Sequence, residues 1–187
     1  MAREVFSIQN VKHLWKTNFS GEINDYNPAQ RGVTGPDGQP IGHRRFTISL
    51  PEDVAEYLKS KGANIRVRPP QNPDDETLYS LECFIGEKFP PKPIYRISKD
   101  GKQSLTLATI GSLDSERIDH MDLDISFSPW EYAGKTGFKA YVNSIAVFVN
   151  DSEFESRYRD IRDLDGNAVP QQFVNPNDGE DEDDLPF

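Results

Sequence analysis

Residues 121–128 carry the cleanest alternation in the chain: Met121, Leu123, Ile125 and Phe127 are apolar, while Asp122, Asp124, Ser126 and Ser128 are polar. Successive side chains of an extended strand point to opposite faces, so this segment reads as a strand with one face in a core and an acidic face in water. The same period predicts strands at Phe6 to Val11, at His43 to Leu50 with Phe46, Ile48 and Leu50 inward, and at Asn64 to Arg68 with Ile65 and Val67 on one side and both arginines on the other. Leu78 to Ile85, Ile94 to Ile97 and Phe138 to Phe148 complete the set, and Asp100-Gly101 is a hairpin signal after which Leu105 to Ile110 is expected to continue the sheet. One interval has helical spacing instead. Pro51 suits a first turn, Val54, Ala55 and Leu58 share a face, and Gly62 ends it. A second short helical or irregular piece is expected around Ser112 to Ile118.

Between the first strand and Arg44 lie Gly21, Pro28, Gly32, Gly35, Pro36, Gly38, Pro40 and Gly42, too many breakers for a regular element. Compact domains rarely carry so long a loop without use, so residues 21–43 read as a functional or partly disordered arm. The pattern predicts an all-β fold with one or two short helices. An OB-like Greek-key barrel with long loop insertions accommodates it, although strand spacing alone does not separate that barrel from a sandwich. The expected organisation is a domain over 1–150, a short helix and linker over 151–177 with the helix at Glu153 to Arg162, and a disordered acidic tail over 178–187.

Composition changes this picture in two places. The chain of 187 residues has 14 Pro and 13 Gly and is only 35% hydrophobic, which suits a loop-rich β-protein. Its net charge of -10 argues at first against an anionic partner. The distribution reverses that inference: residues 1–110 hold 15 basic against 13 acidic side chains, residues 111–177 hold 6 against 12, and the tail adds six acids. An anion-binding face therefore belongs mainly to the first 110 residues. Cys83 is the single cysteine and alternates with Leu81 and Ile85, which favours core packing and excludes an internal disulfide or a cysteine-based zinc cluster. Without an apolar N-terminal run or a stretch near ~20 apolar residues, a cytoplasmic protein without membrane attachment is expected.

Candidate chemistry is sparse for an enzyme and richer for a binder. Asp122 and Asp124 lack a histidine or third acid at ligand spacing, Gly134-Lys135-Thr136 lacks the spacing and following helix of a phosphate loop, and Asp163 and Asp165 do not fit a calcium loop. No metal and no cofactor is expected, and no nucleophile, base and oxyanion set is present to support a hydrolase. By contrast, Lys12, Trp15 and Lys16 interleave cations with an aromatic ring, a mixture that either contacts single-stranded nucleic acid or belongs to a strand with one buried tryptophan. Arg66 and Arg68 share one strand face, either for phosphates or for water. Lys88, Lys92, Arg96, Lys99 and Lys102 form the densest basic group, with Phe89 and Tyr95 among them. Tyr26, Arg31, Arg44, Arg45, Lys135, Lys139 and Tyr141 complete the candidate contacts, core packing being the alternative for Tyr141.

The last ten residues are of another kind. Asp178, Glu180, Asp181, Glu182, Asp183 and Asp184 lead to Leu185-Pro186-Phe187, an apolar tip in a charged brush that fits a basic groove with a hydrophobic pocket, or else serves solubility alone. Asp183 to Phe187, Asp-Asp-Leu-Pro-Phe, resembles the Asp-Asp-Ile-Pro-Phe that closes bacterial single-stranded DNA-binding proteins, with Leu185 in place of Ile. With the strand Gly137 to Ile145 after a hairpin loop, the chain resembles phage-type single-stranded DNA-binding proteins. That resemblance implies a non-catalytic protein, a homodimer, that coats ssDNA in replication, recombination or repair. It also implies that Asp181, Glu182, Asp183, Asp184, Leu185, Pro186 and Phe187 recruit replication proteins such as a polymerase or helicase/primase. The alternatives are an OB-type RNA-binding chaperone and a structural module that binds no nucleic acid.

Overall fold

The alternating stretches become strands of one sheet that curls back on itself. The computed structural model describes residues 3–150, so the predicted helix at 153–162, the linker and the tail lie outside the described residues. In chain order the elements are β1 (Val5–Val11), β2 (His13–Asn18), β3 (Arg44–Leu50), α1 (Glu52–Ser60), β4 (Arg66–Arg68), β5 (Leu78–Ile85), β6 (Ile94–Ser98), β7 (Gly101–Ser104), a 3₁₀ helix (Ile110–Ser115), β8 (Ile118–Tyr132) and β9 (Lys135–Val149).

Hydrogen bonding runs along the path β1-β8-β9-β5-β3-β2. The ends of that path are two halves of one extended segment, separated only by Lys12. The first half pairs with β8 and the second with β3, which closes the barrel. Every pair along the path is antiparallel except β5 with β9. Counted with its bent first strand as one, this is a five-stranded OB-like Greek-key barrel. The arm, then α1 with β4, then the β6–β7 hairpin with the 3₁₀ helix, are insertions between its strands. Strand β6 extends the sheet by pairing in parallel with the C-terminal half of β9.

Alternation fills the barrel as expected: Phe46, Ile48, Leu50, Leu81, Cys83, Ile85, Met121, Leu123, Ile125, Val142, Ile145 and Val147 are all buried in one cluster. Ala55 and Leu58 from α1 and Ile110 and Leu113 from the 3₁₀ helix join it, each large side chain contributing about 1.5–3 kcal/mol. Burial pushes the Cys83 thiol well above its ordinary range, which leaves it protonated and unreactive.

Two local expectations need correction, and one open reading is decided. Leu105 to Ile110 does not continue the sheet; the strand ends at Ser104, and Thr106 to Thr109 turn into the 3₁₀ helix so that Leu105 and Ile110 enter the core from a bend. The hairpin expected at 133–137 is present, but its loop is shorter. Strands β8 and β9 run on to Tyr132 and Lys135, and only Ala133 and Gly134, both at positive φ (50° and 75°), make the turn. Gly137 sits within β9 opposite Trp130, where any Cβ would come 2.9 Å from the indole Nε1, so the glycine makes room for the ring. Of the two readings of Trp15 the buried one is excluded: the β2–β3 register shifts between Leu14 and Asn18, Trp15 takes φ 57°, and the residue is 60% exposed.

The arm is built rather than loose. Asn27, 2% exposed, donates from Nδ2 to the carbonyls of Glu22 and His43 and accepts from His43 N. Gln30 Nε2 donates to Gly42 O at 2.9 Å. At the base of the arm the Asp114 carboxylate accepts from Thr17 Oγ1, Phe19 N and Ser20 N at 2.9, 2.7 and 2.9 Å. Asp114→Ala strands two backbone donors, and we expect it to lower stability by about 1–3 kcal/mol. Thermal unfolding of the variant measures this directly, and an unchanged midpoint contradicts the anchoring role.

Candidate nucleic-acid interface

Side chains of β3 and β5 that do not enter the core point outward, and pairing sets them in rows. Arg45 on β3 lies opposite Phe84 on β5, and Phe84 lies opposite Tyr141 on β9. One cation and two rings thus cross three neighbouring strands. The next row joins Thr47 to Glu82, and the next Ser49 to Ser80. Arg66 and Arg68 on β4 stand opposite Ser80 and Leu78, on the same outer face and exposed. In OB barrels this face, with the loops at its margins, is where oligonucleotides lie.

Phe84 points outward yet is only 9% exposed, because three side chains cover it. Lys139 Nζ stands 5.0 Å above the ring centroid, His43 meets the ring edge-on at 5.7 Å, and Tyr141 lies tilted at 6.1 Å. Lys139 is thereby held over an aromatic face. The His43 pKa is lowered by burial first, then by Lys139 and Arg45, with Glu82 opposing, so the imidazole favours its neutral form. Arg45 has two partners: Nη1 donates to Glu82 Oε1 at 3.3 Å and Nη2 to the carbonyl of Tyr26 at 2.8 Å. The second bond ties the arm to the face and leaves the Tyr26 ring 89% exposed at its margin. At the end of β8, beside the turn, Tyr132 is 78% exposed and pairs with Lys135.

The structure thus gathers Arg45, Arg66, Arg68, Lys139 and Tyr141 on one face, with Tyr26 and Arg31 on the arm and Lys135 by the hairpin turn. The dense basic group from 88 to 102 is divided. Lys88, Phe89 and Lys92 are exposed on the proline-rich loop. Tyr95, with Lys102 Nζ 4.4 Å from its centroid, packs by Ala146 in a small pocket shared with Asp122 and Asp124. Lys12 and Lys16 are exposed on either side of Trp15.

Two candidates are corrected. Arg44 follows the inward alternation of Phe46 and Ile48; at 3% exposure it pairs with Glu87 and donates to Phe19 O at 2.6 Å, so it holds the barrel together and does not face a ligand. Arg96 is tucked against Glu116 at 2.9 Å with its side chain 16% exposed. The outward aspartates are committed as well. Asp124 accepts from Ser144 and Ser7, bonds that hold its carboxyl below the usual range, and Asp122 accepts from Asn10 N at 2.8 Å, so the pair fastens β1 to β8 and β9. Among the described residues no group of three or more His, Cys, Asp or Glu is placed to hold a metal ion, and no helix is long and apolar enough to cross a membrane. Sequence reasoning missed His43, Phe84 and Tyr132. Phe84 was findable, since the residue between inward Cys83 and Ile85 must face out.

A family model described as a phage ssDNA-binding domain matches residues 1–184. No match was found among curated proteins. Similar solved structures include a C-terminal truncation of the single-stranded DNA-binding protein from bacteriophage Enc34, 13% identical over 79% of this chain and 87% of that one, with a TM-score of 0.47. The Enc34 protein in complex with ssDNA is 15% identical over 80% and 89%, with a TM-score of 0.44. The gp2.5 single-stranded DNA-binding protein encoded by bacteriophage T7 is 10% identical over 90% and 100%, with a TM-score of 0.36.

Proposed function

The chain belongs to the phage ssDNA-binding domain family, and from that premise we propose that it coats single-stranded DNA without reading sequence and acts by binding rather than catalysis. The observation that carries this reading is the row Arg45, Phe84 and Tyr141 with Lys139 over the central ring. Phosphates need cations and unpaired bases need ring faces, and this surface sets Arg45 and Lys139 beside the part-exposed Tyr141 ring, with the covered Phe84 ring packed between them. Tyr26 on the arm and Tyr132 on the hairpin extend the ring surface at its margins.

Binding of this kind is salt-dependent. Affinity for oligo-dT is expected to fall as salt rises, with about 0.7 in log-log slope for each neutralised phosphate. Replacing Arg66 and Arg68 by glutamine flattens that slope, while Arg96→Gln leaves it in place. Fluorescence anisotropy with oligo-dT, a duplex and an RNA strand of equal length separates an ssDNA coat from an RNA chaperone. No binding to any of them at low salt overturns the reading.

The same proposal gives the protein a part in replication, recombination or repair in the host cytoplasm, as a homodimer. The acidic segment 178–187 recruits replication proteins, a polymerase or helicase/primase, through Leu185, Pro186 and Phe187. Its six carboxylates belong to the same chain as the basic face and would compete with DNA phosphates for it. Deleting 178–187 should tighten oligo-dT binding most strongly at low salt, whereas Phe187→Ala should spare DNA affinity and remove partner capture. If deletion changes neither, the segment serves solubility only. Sedimentation equilibrium tests the dimer.

A further inference from the structure

One charged group on the proposed face has the wrong sign for it. Glu82 projects outward from β5, opposite Thr47 and two residues from Phe84. Its Oε1 is 3.3 Å from Arg45 Nη1 and its Oε2 is 3.8 Å from Arg66 Nη2. The carboxylate therefore bridges guanidinium groups from two strands, one on each side of β5, each oxygen serving one arginine. A phosphate bound between the same two groups would present the same chemistry, a small anion with several oxygens.

We propose that Glu82 is an internal stand-in for a DNA phosphate: it occupies the Arg45–Arg66 clamp in the free protein and gives it up when a strand binds. This rests on the ssDNA reading and adds a regulating residue to the same face. Geometry favours easy exchange. Arg66 is 66% exposed and Glu82 26% exposed, so water reaches both and the bridge is weak enough to open. Arg45 has a second anchor in the Tyr26 carbonyl, which keeps one half of the clamp in position when the carboxylate leaves. The carboxylate thus stores the clamp in a closed, neutralised form and sets a threshold that a polyanion must exceed. Lone anions compete poorly, whereas a strand held at neighbouring points along the face meets the threshold.

The test is Glu82→Gln, which keeps the size and removes the charge. Binding to oligo-dT at low salt should tighten by roughly fivefold, the effect of one unit charge at contact distance through water, and the log-log salt slope should steepen by up to about 0.7. The gain must depend on the clamp: with Arg66→Gln already in place, Glu82→Gln should add little. Glu56→Gln, an exposed acid on α1, controls for net charge and should change affinity less. Unchanged or weaker binding by Glu82→Gln, or an equal gain in the Arg66→Gln background, overturns the proposal while leaving the ssDNA reading intact if wild type binds. A wild-type protein that does not bind oligo-dT overturns both.

Discussion

Tyr141→Ala should weaken oligo-dT binding by about 1–3 kcal/mol, roughly five- to 150-fold, while the protein stays folded. The expectation follows from place rather than residue type. Tyr141 is the part-exposed ring of the row across β3, β5 and β9, in contact with Phe84, and its neighbours Ala140 and Val142 carry the inward packing of that segment. Removing the ring deletes a stacking surface without opening the core. Tyr141→Phe keeps the ring face and should bind like wild type, which separates stacking from any role of the hydroxyl. Titration of a labelled oligo-dT against both variants, with circular dichroism as the check on folding, measures the effect. If the alanine variant binds as tightly as wild type, the strand does not cross this row.

The largest stability effect is expected at the adjacent pair Arg44 and Glu87. Arg44→Ala leaves Glu87, whose side chain is 9% exposed, without its cation, and loss of one partner of a buried pair costs about 3–5 kcal/mol. A chain of this size should then melt roughly 10 °C lower. Replacing both partners, Arg44→Met with Glu87→Leu, should recover much of the loss because no charge is left buried. Arg45→Ala provides the contrast. It should lower ssDNA affinity and free the arm at Tyr26, with little effect on melting. Two neighbouring arginines thus give opposite phenotypes, because consecutive strand residues face opposite ways. Equal melting of the two single variants contradicts the assignment.

Alternation along the chain was enough to read the strands, because burial of one strand face imposes a period of two on the sequence regardless of the partner strand. It placed Phe46, Ile48, Met121, Leu123 and Ile125 in the core, and the helix at 52–60 was legible from Pro51, the Val54, Ala55 and Leu58 spacing and Gly62. The family was also legible, from a few residues near the end of the sequence and one strand. Pattern alone did not reveal where a strand face passes from ligand to lattice of hydrogen bonds. Arg44 lies beside Arg45 and both are cations, so composition treats them alike; the period of two puts Arg44 on the face of Phe46 and Ile48, but only the tertiary structure supplies Glu87, which neutralises it there. Trp15 turned outward because a register shift after Leu14 interrupts the alternation, and no local residue announces that shift. The basic cluster from 88 to 102 looked continuous because its residues are close in sequence, yet β6 presents successive side chains to different surroundings, Tyr95 beside Ala146 and Arg96 against Glu116. The row Arg45, Phe84 and Tyr141 draws on residues 45, 84 and 141, brought together by one antiparallel and one parallel pairing. Period sets which way a side chain points, but long-range strand pairing chooses its neighbours, and the candidate site consists of neighbours.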